Sequence, residues 1–419
     1  MRTVNASIIT IGDELLIGQT IDTNSAFIGQ ELNKIGIWLK RRIAVGDVKE
    51  EILQAIAQQS KDNDIIIITG GLGPTADDIT KPALCEYFNA QLVINESVLE
   101  HVTNIFARLN RPMLESNIKQ AEVPDNCLVL HNERGTAPGM WFEKNGVVII
   151  SLPGVRHEMK GLMEQQVLPR LQQKLELPAV LHRTLLTAGQ GESFIAERLS
   201  SFEAALPSHI KLAYLPAYGM VRLRLTGRAA NALALTTELD SLFDQLKTLV
   251  KEWLVADQDI TIAEAVSLLL KAKGRTVATA ESCTGGYIAH LITSKAGSSS
   301  IYNGSVISYA NSTKQNLLGV KETTLQQFGA VSEETVRQMA QGAIAALGTD
   351  YAIATSGIMG PDGGSPEKPV GTVWIAVAGK ERIKTSKHHF RFDRQRNIEL
   401  TAHTALNLLR LFIVEDENE

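Results

Sequence analysis

The sequence predicts an α/β protein made of two α/β sandwich domains with mainly parallel sheets, joined by a small α+β module. Three observations predict it: short aliphatic runs alternate with amphipathic stretches at both ends of the chain, the run at 64–69 is continuous rather than alternating, and several runs end in glycine-rich loops. A continuous run belongs to a strand covered by helices on both faces, as in parallel sheets. With 419 residues the chain is long enough for several domains that each bury a core.

Residues 7–11 read as a strand, 22–35 as a helix, 38–45 as a strand, 48–58 as a helix, and 64–69 as a strand that passes through a glycine loop into another helix. This first domain spans 1–170. Between 175 and 255 the α+β module shows polar–apolar alternation at 220–226 and a helix-like pattern at 229–253. The polar segment 255–260 then precedes a helix that Thr261 caps together with Glu264, three residues on. Over 260–414 the α/β alternation returns, with strands at 275–280, 303–309, 351–355 and 370–378, and helices to 273, from 285, over 333–347 and through 409. An acidic tail at 415–419 follows.

Forty-one Lys and Arg against 46 Asp and Glu give a net charge of −5, so nucleic acid is a disfavoured partner. Cys85, Cys127 and Cys283 are too far apart for a disulfide framework or a Cys-x-x-Cys metal site and fit a reducing compartment. No aliphatic run approaches the ~18 residues of a membrane span. The expectation is a cytoplasmic protein with no membrane partner.

Two constellations carry chemistry. The first is Gly70-Gly-Leu-Gly-Pro-Thr75 after the 64–69 strand, where glycines let a backbone approach phosphate and helix-start amides favour anionic oxygens. Asp77 and Asp78 follow, and Gly12-Asp13-Glu14 ends the first strand at the same sheet edge. Carboxylates beside a phosphate loop imply a divalent cation between them, with Glu14, Asp77 and Asp78 as its ligands. The plainer alternative is that the two aspartates only cap the next helix.

The second constellation is Glu281-Ser-Cys-Thr-Gly-Gly286 at the end of the 275–280 strand. Ser282 is a candidate nucleophile, with amides of the Gly285–Gly286 turn as oxyanion donors. A serine needs a base. His290 is expected two turns into its helix, and His388 and His389 lie on a late strand. Lys314, after Ser308-Tyr309, could share the sheet edge, and a desolvated lysine can accept the proton. Thr355-Ser-Gly-Ile-Met-Gly-Pro-Asp-Gly-Gly-Ser365 offers Ser356 and backbone amides to a ribose or phosphate. Cys283 is the rival nucleophile, and the plainer alternative is a long structural turn with Ser282 as a cap.

These motifs carry a resemblance. Gly12-Asp-Glu-Leu-Leu-Ile-Gly18, the Gly70–Thr80 segment, Asn132 with Gly135-Thr-Ala-Pro-Gly139, and Leu152-Pro-Gly154 with Glu158 look like the amino-terminal domain of the CinA family, related to molybdopterin-binding proteins. That implies a metal-dependent ADP-ribose pyrophosphatase (Co, or Mg/Mn), or a pterin-nucleotide-binding fold without that activity. Gly12, Asp13, Asn24, Gly70, Gly71, Gly73, Thr75, Asn132, Gly135, Thr136, Pro138 and Gly139 would hold the nucleotide. Arg156 departs from the family's usual proline.

Gly189-Gln-Gly-Glu-Ser193 and the 212–218 stretch resemble the family's KH-type linker domain, without a Gly-x-x-Gly clamp or a basic cluster. It reads as a spacer and dimer contact.

From Thr261 onward the chain resembles the PncC family, the carboxy-terminal half of CinA, which hydrolyses nicotinamide mononucleotide to nicotinate mononucleotide and ammonia. By motif, Ser282 is the nucleophile, Lys314 its base, and Tyr309 and Ser356 catalytic-network residues. Thr284, Gly285, Gly286, Asn311, Gly357, Gly360, Gly363, Gly364, Arg394 and Arg396 would bind substrate. Ser356 stands where many relatives have Thr, and Phe392-Asp-Arg lacks the family's glycine. The resemblance implies no cofactor for this half, a homodimer, and a place in pyridine nucleotide salvage. The alternative from another class is a non-catalytic adaptor.

Overall fold

The computed structural model describes residues 3–75 and 77–416. The chain divides into two compact units: residues up to Leu181 with Gly227–Thr237, and His182–Thr226 with Glu238 onward.

The strands in chain order are β1 Asn5–Ile11, β2 Trp38–Val45, β3 Ile65–Thr69, β4 Leu92–Ile94, β5 Glu122–Pro124, β6 Leu128–Leu130, β7 Gly139–Lys144 and β8 Val147–Leu152. β4 and β5 form a two-stranded ribbon; the rest make a sheet of order β2-β1-β3-β8-β7-β6. Its first four strands are parallel, while β7 and β6 run antiparallel. The continuous isoleucines of β3 explain themselves: Ile65 and Ile67 enter one buried cluster, Ile66 and Ile68 the other. Because Thr10 pairs with Thr69 and Thr69 with Leu152, the parallel strands end in step, and the loops after them share one edge.

The middle module has β9 Ala179–Ala188, β10 Ile210–Ala217, β11 Met220–Ala229 and β12 Leu254–Ala256, in the order β10-β11-β9-β12. Its second helix is Ala232–Leu249, shorter than the 229–253 pattern. The 255–260 connector begins inside β12, which pairs with β9; three residues are too few to show a period. The expected cap of the next helix is present, with Thr261 Oγ1 accepting from the Glu264 N–H at 3.2 Å and Glu264 accepting from the Thr261 N–H at 2.8 Å. Burial opposes the Glu264 charge, but Thr261 and Lys295 bring its carboxyl down to about 2.

The last sheet comprises β13 Val277–Glu281, β14 Tyr302–Ile307, β15 Tyr351–Gly357, β16 Thr372–Ala378 and β17 Ile383–His389, in the order β14-β13-β15-β16-β17. β14, β13 and β15 are parallel; β16 and β17 are antiparallel. One face is paved with Ala278, Ala280, Ala352, Ala354, Ala376 and Ala378 against the helix Glu333–Leu347; the other buries Val277, Ile353, Ile375 and Val377 against the helices Ile262–Lys273 and Arg394–Glu415. Small side chains on the first face let the helix pack close. Glu281 pairs with both Ile307 and Thr355, so Ser282, Ser308 and Ser356 each stand one residue beyond a common row. No helix among the described residues is long and apolar enough to cross a membrane.

Candidate active site

At that row the chain builds a buried dyad. The Lys314 ammonium nitrogen lies 3.1 Å from Ser282 Oγ, 2.7 Å from the Ser308 carbonyl oxygen and 3.4 Å from that of Tyr309. Lys314 is 1% exposed and Ser282 9%. Lys314 sits in the first turn of the helix Asn311–Leu318, which aims its side chain back toward the strand end. Burial pushes its pKa below the usual lysine range, and no carboxylate hydrogen-bonds it among the described residues. An uncharged amine has two N–H bonds and a lone pair. With the two carbonyls taking the N–H bonds, the lone pair faces the serine hydroxyl.

The rival thiol is disarmed. Cys283 is buried, and desolvation raises its pKa to about 12, so it holds almost no thiolate at neutral pH. Histidines are no substitute: His290 is exposed in the first turn of the helix Tyr287–Thr293, not two turns in, and His388 contacts Ser386.

Glu281, whose role sequence reasoning missed, organises the turn. Its carboxylate is 0% exposed and accepts from the N–H groups of Gly286 at 3.0 Å, Ile288 at 3.1 Å and Ala289 at 2.9 Å, and from the Thr279 hydroxyl at 3.2 Å. The Gly285 N–H donates to the Ser282 carbonyl at 3.3 Å. The expected Gly285–Gly286 oxyanion donors are therefore already engaged. Glu281→Ala would orphan the Gly286, Ile288 and Ala289 donors, the second of them buried and the others half-buried, and cost about 3 kcal/mol; urea denaturation should show the loss, and an unchanged midpoint would contradict this role.

Other expected residues sort by contact. The Ser356 hydroxyl donates to the Ala330 carbonyl at 2.7 Å rather than to the dyad, so it fastens the β15 end to a neighbouring loop. Thr284 turns its hydroxyl inward to Thr355 at 2.8 Å, away from a substrate-facing role. Arg394 reaches the site, donating to Tyr309 Oη at 3.1 Å and the Gly360 carbonyl at 2.8 Å. Arg396 instead stacks over Phe392, 4.5 Å from the ring centre. Tyr309, Asn311, Gly363 and Gly364 are exposed, Gly357 is half-buried and Gly360 buried. Asn397, also missed, ties Met359 to Phe392 through its side-chain amide, holding the loop that presents Gly360.

The amino-terminal edge holds two hollows. One of about 210 Å³ is lined by Glu14, Asn24, Thr69, Gly70 and Arg156; Asn24 donates to the Gly154 carbonyl at 2.7 Å. The other, about 330 Å³, is lined by Gly71, Gly73, Asp78, Thr136, Gly154 and Glu158. Asn132 donates to Ala137 O at 2.8 Å and Glu158 at 2.6 Å, folding the turn that carries Gly135 and Thr136 and leads through buried Pro138 to Gly139. Burial raises the Glu158 pKa despite that bond. Any side chain at Gly135 would strike the Glu158 carboxylate.

The carboxylates expected to hold a metal are not gathered. Glu14 and Asp78 line different hollows, and Asp78 accepts from the Gly73 N–H at 2.8 Å and from Thr75 N–H at 2.9 Å and its hydroxyl. Asp77 is exposed; its charge, with those of Asp13 and Glu14, adds to burial in raising the pKa of Asp47, an acid that sequence reasoning passed over. No cluster of three or more His, Cys, Asp or Glu suited to a metal occurs among the described residues. As placed, the predicted trio does not fit a metal centre. Asp78→Ala frees the loop from its anchor, so the Gly73 and Thr75 amides should exchange with solvent on the order of 10-fold faster; hydrogen-exchange measurements check it, and unchanged exchange would rule out the anchoring role.

Three family models match the chain: the CinA C-terminal domain over 259–413, a "Probable molybdopterin binding domain" over 7–173, and the "Damage-inducible protein CinA KH domain" over 182–256. The chain is 47% identical over 407 residues to the CinA-like protein of Cytophaga hutchinsonii, covering 97% of each. It is 45% identical over 408 residues to that of Flavobacterium psychrophilum, covering 97% of this chain and 98% of the other. Among solved structures, the competence/damage inducible protein CihA from Agrobacterium tumefaciens is 39% identical, covering 36% of this chain and 92% of that one with a TM-score of 0.35.

Proposed function

We propose, because the chain belongs to the CinA family and carries a buried Ser–Lys pair, that its carboxy-terminal domain is an amidohydrolase that converts nicotinamide mononucleotide and water to nicotinate mononucleotide and ammonia. The observation that carries this reading is the 3.1 Å separation of Lys314 Nζ and Ser282 Oγ in a setting that favours the uncharged amine.

In this mechanism Ser282 Oγ attacks the carboxamide carbon as its proton passes to Lys314. The resulting ammonium donates to the serine oxygen and the two carbonyls together, so the same neighbours hold the proton until the leaving nitrogen takes it. Ammonia departs, and water, activated by Lys314, releases the acid and restores the serine hydroxyl. Arg394, fixed by Tyr309 and Gly360, offers its cation to the substrate phosphate. Domain requirements for metal or organic cofactor are not part of this serine chemistry.

For the amino-terminal domain we assign binding of ADP-ribose or a related nucleotide at the glycine loop and derive no hydrolytic step, since its carboxylates form no preassembled centre. AMP released from ADP-ribose only with added Co²⁺, Mg²⁺ or Mn²⁺ would make it the pyrophosphatase that the resemblance implies. Binding without turnover would make it a nucleotide- or pterin-binding domain. The reading places a homodimer, its middle module a spacer and dimer contact, in pyridine nucleotide salvage in the cytoplasm.

The decisive assay is ammonia release from nicotinamide mononucleotide by purified, folded protein without added metal. No release above background would favour a non-catalytic adaptor.

A further inference from the structure

We propose that the backbone N–H groups of Cys283 and Thr284 are the oxyanion donors of the reaction at Ser282, and that Thr355 is the positioning residue that holds them. This rests on the serine amidase reading above.

Attack by Ser282 Oγ forms an O–C bond and moves the carbonyl π pair onto oxygen, while the serine proton goes to Lys314. That oxygen then needs donors about 3 Å away. The turn after the nucleophile is the nearest source, and most of its amides are committed. Gly285 N–H donates to Ser282 O and Tyr287 N–H to Thr284 O, and the amides of Gly286, Ile288 and Ala289 are held by Glu281. Between Ser282 and the helix Tyr287–Thr293, the amides of Cys283 and Thr284 are the ones that donate to no other residue among the described residues. They are also the first two after the nucleophile, and successive backbone N–H groups in a turn can make an anion-binding nest.

Thr355 grips all three residues. Its carbonyl accepts from the Ser282 N–H at 3.0 Å, its hydroxyl pairs with that of Thr284 at 2.8 Å, and its side chain lies beside the buried Cys283 thiol. Both side chains are thereby turned into the interior: Cys283 is 6% exposed and Thr284 3%. Thr355 is itself 0% exposed, so it acts through the turn, not on the substrate.

Thr355→Val keeps the β-branched shape and removes the hydroxyl. With nicotinamide mononucleotide, kcat should fall ~10- to 100-fold with KM within about threefold, and the pH profile set by Lys314 should stay in place. Affinity for the analogue bearing an aldehyde in place of the carboxamide, which adds Ser282 to form a tetrahedral oxygen, should fall in parallel with kcat; affinity for nicotinate mononucleotide should not. Thr355→Ser should restore both. A fall in kcat with aldehyde affinity unchanged would overturn the proposal. If Thr355→Val does not fold, a crystal structure of the wild-type aldehyde adduct decides: its oxygen within about 3.2 Å of both nitrogens supports the assignment, and an oxygen bound elsewhere ends it. Wild-type turnover with the oxygen elsewhere overturns only this inference; no wild-type turnover and no adduct overturns the amidase reading and this inference together.

Discussion

Ser282→Ala should lower ammonia release from nicotinamide mononucleotide by on the order of 10³-fold or more, whereas Cys283→Ser should leave most of the rate. The contrast follows from environment. Ser282 has the Lys314 amine 3.1 Å away, while the Cys283 thiol, raised to about 12 by burial, sits in the interior beside Thr355. Substrate affinity should change little in Ser282→Ala, because the nucleophile contributes to the transition state more than to ground-state binding. The measurement is steady-state ammonia release with a parallel titration of the acid product. Turnover retained in Ser282→Ala and lost in Cys283→Ser would transfer the nucleophile to the thiol.

Lys314→Arg should be comparably damaging, and the pH profile says why. Accepting the serine proton requires an uncharged side chain, and arginine stays charged at any working pH. In the native protein kcat/KM should rise about tenfold per pH unit below the Lys314 pKa and level off above it, with the midpoint below the ordinary 10.5 from which burial lowers it. The stability contribution has the same sign. Between the lowered folded value and 10.5 the unfolded chain binds a proton that the folded chain does not, so stability rises with pH across that window. An active Lys314→Arg enzyme with an unaltered profile would remove Lys314 from the role of base.

The chemistry-bearing loops were legible because strand ends are marked in the sequence: the isoleucine run before Gly70 and the apolar stretch before Ser282 announce their strands, and parallel topology then sends the loops to one edge. The Ser–Lys pair was reachable in this way, as was the Thr261–Glu264 cap, which is local. What was not legible depended on which of several equivalent polar groups each side chain satisfies. Glu281 carries the same formula whether it faces solvent or closes a helix start. Ser356 and Thr355 are neighbours with nearly identical side chains, yet one fastens a loop and the other grips the nucleophile's turn. The acidic residues at the amino-terminal edge implied a metal by charge count, but Asp78 had a nearer use in holding Gly73 and Thr75. β12 escaped because it is three residues long, and Arg394 could be told from Arg396 only by the direction each leaves the start of its helix.

The row that β13, β14 and β15 share at Glu281, Ile307 and Thr355 has a consequence for how this chain can change. Chain length between the strands is nearly free to drift, since each doubling of a flexible connection costs only about 0.6 kcal/mol. A single residue gained or lost inside any of the three strands is another matter, because it would turn the terminal side chains to the opposite face and carry Ser282, Ser308 or Thr355 out of reach of the others. Insertions in the lineage should therefore collect in the connections and spare the strands, whatever the chemistry at their ends.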